Sequence, residues 1–230
     1  MWLGPAPVKP YTYNRCSGDQ NSKGSYYIYD YALGFIAGWG AHPLDIAQWG
    51  NDTDNTGPVK YSGAGSFFEQ DNLFDTICSW DTVCIYADGL KMRFMSHNIA
   101  RPVIEKYRTY QDHGTTFFCE GGWVSVDRGG IYASKPEFLD VVFDESDLRL
   151  YHSNNHFLGF IQSAREKKES ICPVEAAIRS DTISHLCNIL IRTGVNELNW
   201  DPGKEEIVNP TGEMLQMMKR SIREPYEIVV

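Results

Sequence analysis

The run Thr76-Ile77-Cys78-Ser79-Trp80-Asp81-Thr82-Val83-Cys84-Ile85-Tyr86-Ala87-Asp88-Gly89-Leu90-Lys91-Met92-Arg93-Phe94-Met95 decides the fold class. Its first half is rich in β-branched and aromatic residues. After Asp88-Gly89, Leu90, Met92 and Phe94 alternate with Lys91, Arg93 and Met95. Period-two alternation puts apolar side chains on one face of a strand, and Asp-Gly supplies the backbone freedom that a tight hairpin needs. The stretch therefore predicts two antiparallel strands with one buried face.

The pattern recurs outward from there. Residues 115–119 and 123–127 flank Glu120-Gly121-Gly122, and Arg128-Gly129-Gly130 turns the chain into Ile131-Tyr132-Ala133. Residues 197–200 and 205–208 make a further pair, and 26–29 read as a short strand. These meanders are not the alternating units of a parallel sheet. Helical patterns cover 155–165, 173–194 and 211–220. Pro173 opens the second of these and Gly194 closes it. Another helix starts near residues 41–43, with Pro43 in its first turn, and ends near Gly50. Residues 1–25 are rich in turn formers and read as an extended arm, which leaves 26–230 as one α+β domain.

Composition narrows the partners. Twenty-one basic against 30 acidic side chains give a net charge of −9, which repels phosphate backbones and argues against nucleic acid. The sequence has no apolar run long enough to span a membrane, and its first residues lack the pattern of a secretory signal. Six cysteines show no C-x-x-C spacing. Cys78, Cys84, Cys119 and Cys187 fall in apolar strand or helix patterns and read as buried free thiols, which favours the cytoplasm.

The candidate chemistry lies in Gly34-Phe35-Ile36-Ala37-Gly38-Trp39-Gly40-Ala41-His42-Pro43-Leu44-Asp45. His42 and Asp45 are spaced i, i+3, so they leave the same side of a helix. An imidazole at a helix mouth can take and return a proton near neutral pH. The structural alternative is local packing and capping. Gly63-Ala64-Gly65 begins like a dinucleotide loop, but Phe68 stands at the third glycine position and no helix follows. His152 and His156 are an i, i+4 pair with no third ligand nearby, so no metal site is expected.

Several blocks carry a resemblance that spans the chain in order. They are residues 2–15 (WLGPAP…PYTYNR), 35–50 (FIAGWGAHPLDIAQWG), 121–129 (GGWVSVDRG), 154–168 (NNHFLGFIQSAREKK), 171–180 (ICPVEAAIRS) and 196–206 (NELNWDPGKEE). The chain resembles the C-terminal part of Gfo/Idh/MocA-type oxidoreductases, nearest their bacterial sugar-active branch. The resemblance implies an open, mainly antiparallel sheet with helices on one face. It implies an NAD or NADP cofactor on an N-terminal Rossmann domain, either the missing part of a fragmented enzyme or a separate chain, with no cofactor-binding residues in this one. It also implies a sugar or polyol substrate and a homo-oligomer formed through the sheet face.

His42 falls on the family's catalytic histidine, with Asp45 in the H-x-x-D that follows it. Arg15, Tyr13 and Trp39 are candidates for binding substrate, because their blocks flank the cleft by resemblance. Many members carry an aspartate four residues before the histidine; here that place is Gly38. Residues 1–25 resemble the crossover that leaves the nucleotide domain. On this reading Gly34, Gly38 and Gly40 let backbone approach sugar and cofactor, or else make tight turns. The chain alone is expected not to turn over. Two alternatives stand beside the oxidoreductase half. One is a non-catalytic carbohydrate-binding or scaffold protein, and the other is a fragment of a cofactor-assisted glycoside lyase or hydrolase. A periplasmic home stays open, since relatives can be exported by a signal on the other half.

Overall fold

The expected hairpin forms between β2 (Ile77–Ile85) and β3 (Lys91–Met95), with Cys84 opposite Met92 and Ile85 opposite Lys91. Gly89 (φ 91°) makes the turn, and the Leu90 amide donates to Asp88 Oδ1. The computed structural model describes residues 2–18, 23–68, 73–108, 113–147 and 152–226.

The hairpin is one edge of a five-stranded antiparallel sheet. Its centre is β1 (Lys60–Phe67), which pairs with β2 on one side and with β7 (Glu197–Asp201) on the other; β8 (Glu206–Ile207) closes the far edge. The sequence reading had no strand at β1, because KYSGAGSF is rich in glycine and small residues that weaken strand signals. The structure explains them. Gly63 has φ 132° and lies against the β2 backbone, and a Cβ on Gly65 would stand 3.0 Å from Ile191. Small residues here let a long helix lie close on the sheet.

That helix is α6 (Val174–Thr193). Ile183, Leu186, Cys187 and Leu190 pack with Tyr61, Trp80, Cys84, Phe94, Leu198 and Trp200 in one core. The opposite sheet face carries Lys60, Asp81, Arg93 and Glu197, joined in two exposed ion pairs. The fold is thus α+β, an open sheet with helices on one face. Between Ser180 and Ile191 most α6 residues are buried, with His185 and Asp181 left on an open strip. A helix buried over more than its sheet-facing side must be covered by other elements too. Here α2 (Phe35–Gly38), α3 (Ala41–Gly50) and α7 (Gly212–Met217) pack against it.

A second sheet holds β4 (Thr115–Cys119), β5 (Gly122–Asp127) and β6 (Gly130–Ala133). It hangs from α3: Thr115 Oγ1 donates to Pro43 O at 2.8 Å, and the Phe117 ring fills the space beside Gly50. The remaining helices are α1 (Tyr13–Cys16), inside the expected arm, α4 (His97–Ile104) after β3, and α5 (His156–Glu166). Among the described residues no helix is long and apolar enough to cross a membrane.

Two expectations are corrected. Residues 26–29 do not form a strand; Ser25–Tyr27 is a 3-10 turn. Its tyrosines pack edge-on against Phe35 at 5.7 and 5.6 Å between centroids, so aromatic clustering replaces strand pairing. All six cysteines are free, but only Cys84 and Cys187 are buried; Cys78 is half-buried and Cys119 exposed. Cys78 sits at the irregularity in the β1–β2 pairing, where its thiol donates to Ser66 O, and Cys119 ends β4.

Candidate active site

The approach to α3 is set by glycines. Gly34 (φ 72°) faces Thr76, and a Cβ on Gly40 would overlap Ile36 O and press on Phe94. A Cβ on Gly38 would overlap the Tyr26 phenol oxygen. The crowding that these three glycines relieve is therefore internal to the protein. Gly40 has helical angles (φ −58°, ψ −30°), so α2 runs into α3 with only a slight break. His42 follows at the start of α3.

His42 and Asp45 leave α3 one turn apart and line an open cleft of about 420 Å³ with Ala41 and Ile46. The floor is Ala177 and Ser180 of α6, and the facing wall is His113, Asp127 and Arg128. His42 is exposed there. Its ring meets Trp39 edge-on, 4.8 Å between centroids, and lies 5.8 Å from His113. His113 in turn packs 5.0 Å from Trp39. Trp39 thus supports two imidazoles, which limits how far either can swing.

The carboxylates differ in their surroundings. Asp45 Oδ1 accepts a hydrogen bond from Ser180 Oγ at 2.8 Å, and Ser180 is itself buried. Asp45 also repels Asp54, whose pKa is raised first by burial and then by this neighbour. Asp127 is fully enclosed. Its Oδ2 lies 2.7 Å from the buried Arg108 guanidinium, and its Oδ1 accepts from the amides of Gly129 and Gly130. Arg108 also donates to Ser125 Oγ at 3.0 Å. The charge of Asp127 is therefore spent on holding the β5–β6 turn, which carries Arg128. That guanidinium lies over the Trp39 ring, 5.3 Å from its centroid.

Of the candidates from sequence, His42, Asp45 and Trp39 come together. Arg15 and Tyr13 sit on α1, where Arg15 donates to Pro10 O; neither lines this cleft. His113, Asp127, Arg128 and Ser180 were not singled out. The Asp-Arg-Gly-Gly turn was the one local signal, since an aspartate two residues before a glycine commonly caps its own turn. Arg179 reaches Glu175 at 2.7 Å and Glu205 at 3.0 Å. Among the described residues no three His, Cys, Asp or Glu side chains gather as a metal site.

A nicotinamide dinucleotide does not fit these residues alone. Its pyrophosphate needs a glycine-rich turn from strand to helix. The described strands pair only antiparallel, and Gly63-Ala64-Gly65 lies inside β1.

Residues 1–228 match the model of the Gfo/Idh/MocA oxidoreductase family, C-terminal alpha/beta domain. The chain belongs to that family. A solved structure provisionally described as an oxidoreductase, from Erwinia carotovora atroseptica SCRI1043, is similar over 72% of this Gfo/Idh/MocA chain at 13% identity and a TM-score of 0.40. The match covers 50% of that chain, so the domain described here spans half its length. No curated protein matches.

Proposed function

We propose that this domain is the substrate-binding half of an NAD(P)-dependent oxidoreductase acting on a sugar or polyol. The observation that carries the reading is the placement of His42 and Asp45 on one wall of an open cleft, each held by a neighbour that is not a reactant. In this reading His42 takes the proton of the hydroxyl that becomes a carbonyl, and Asp45 orients an adjacent hydroxyl. The hydride acceptor belongs to a Rossmann domain on another segment or chain. This chain supplies binding, orientation and the proton. Its open sheet face serves as the contact between copies.

Gly38 supports a second reading, a non-catalytic carbohydrate-binding protein. Many relatives carry an aspartate at that place, and here Tyr26 fills the space. Titration of the purified chain with pyranosides and polyols, followed by the His42 ring signals in NMR, tests binding. Saturable shifts that weaken in Asp45→Ala are expected, with no saturable NAD(H) binding in calorimetry. A cleft that ignores every sugar and polyol, or a chain that binds NAD(H) by itself, refutes the main reading. Adding a Rossmann partner separates the two readings by turnover.

A further inference from the structure

We propose that the cleft selects a sugar or polyol bearing a carboxylate, which Arg128 holds. The inference rests on the reading above that this cleft is the substrate site. Two carboxylates and one arginine line the cleft, yet they do not cancel as a set. Asp127 is closed off by Arg108 and by two backbone amides. Asp45 engages Ser180 and lies on the side of Asp54. Arg128 makes no hydrogen bond or ion pair with any described residue, and its one recorded partner is the face of Trp39. The groups around it are His42, His113, Asp45 and the Asp127–Arg108 pair. The cleft therefore offers two unlike groups, a guanidinium with no ion-pair partner among the described residues and the hydrogen-bonding Asp45.

The geometry of Arg128 suits an anion better than a solvated tip would. A guanidinium resting 5.3 Å over an indole uses the ring face and not its N–H groups, which stay available to donate two parallel hydrogen bonds to a carboxylate. The turn beneath it is fixed by a buried ion pair, so less backbone freedom is lost on binding. Sugar hydroxyls would then fall to Asp45 and His42. A neutral sugar would offer the guanidinium only uncharged hydroxyl acceptors, without the charge-assisted bidentate pairing.

The test is calorimetric titration of the purified chain with glucuronate and galacturonate against glucose and galactose, and with acetate alone. Uronates are expected to bind at least about tenfold tighter than the neutral sugars. Arg128→Gln should erase that margin while leaving neutral-sugar binding in place, and Arg128→Lys should keep part of it. Equal affinity for uronates and neutral sugars overturns the carboxylate proposal and spares the sugar reading. A margin that survives Arg128→Gln overturns it as well. Acetate binding as tightly as uronate overturns the proposal too, because the sugar then contributes nothing, and it removes the sugar reading. Binding of none of these ligands overturns both.

Discussion

The pair most exposed to a decisive perturbation is Arg108–Asp127. Both side chains are sealed, at 2% and 0% exposure. Arg108→Met keeps the apolar stem and deletes the charge. Breaking one side of a buried ion pair leaves the other uncompensated, at about 3–5 kcal/mol. Asp127 keeps the Gly129 and Gly130 amides, and Ser125 keeps Thr116 at 2.7 Å. The loss should therefore lie at the lower end, about 3 kcal/mol. For a chain of this size that is a fall in Tm of about 6–12 °C. Urea denaturation followed by tryptophan fluorescence reads it, with an unchanged m-value showing that the unfolded state is the same. The double variant Arg108→Met/Asp127→Asn removes the stranded charge, while the asparagine carbonyl can still accept from the two glycine amides. It should recover at least about 1 kcal/mol over the single variant. A single variant within about 0.5 kcal/mol of the parent, or a double variant no better than the single, would refute the reasoning.

Two further outcomes follow from buried groups. Burial pushes the Tyr86 phenol up to about 12, above the ordinary value near 10 of the unfolded chain. The folded state keeps that proton longer than the unfolded state, so stability is whole below about pH 10 and falls between about pH 10 and 12, by up to roughly 3 kcal/mol from this group. Melting curves across that range should be steeper for the parent than for Tyr86→Phe, and parallel curves would contradict the assignment. Hydrogen bonding with Cys187 and then burial raise the Cys84 thiol well above its usual range. Thiol labelling read by mass spectrometry should find Cys119 and Cys172 reactive in the native protein, and Cys84 and Cys187 reactive only in denaturant. Native labelling of either buried thiol at the rate of Cys119 would count against the core packing.

The sheet's edges were readable because their signals are local. The β2–β3 hairpin alternates on either side of Asp88-Gly89, and Pro173 and Gly194 bound α6 to within a residue. The centre was not readable. β1 is assembled from glycines and serines whose value lies in what they do not carry, and that appears only once α6 lies upon them. Residues 26–29 misled because an aromatic run looks alike whether it pairs as a strand or packs against Phe35. The site divides in the same way. His42 and Asp45 are joined by helical spacing, so one wall could be foreseen. Ser180, His113 and Arg128 arrive from elements distant in sequence, and no local pattern records that meeting. Arg15 and Tyr13 were proposed from neighbouring blocks, and the cleft is built without them.

The cleft's walls belong to different bodies: one to the helices on the large sheet, the other to the three-stranded sheet that hangs from α3. A ligand that grips both must act as a rivet between them. Occupancy should then slow amide exchange in β4, β5 and β6, strands that need not touch the ligand themselves, because their partial opening would first require its release. The small sheet thereby becomes a gauge of whether the site is filled.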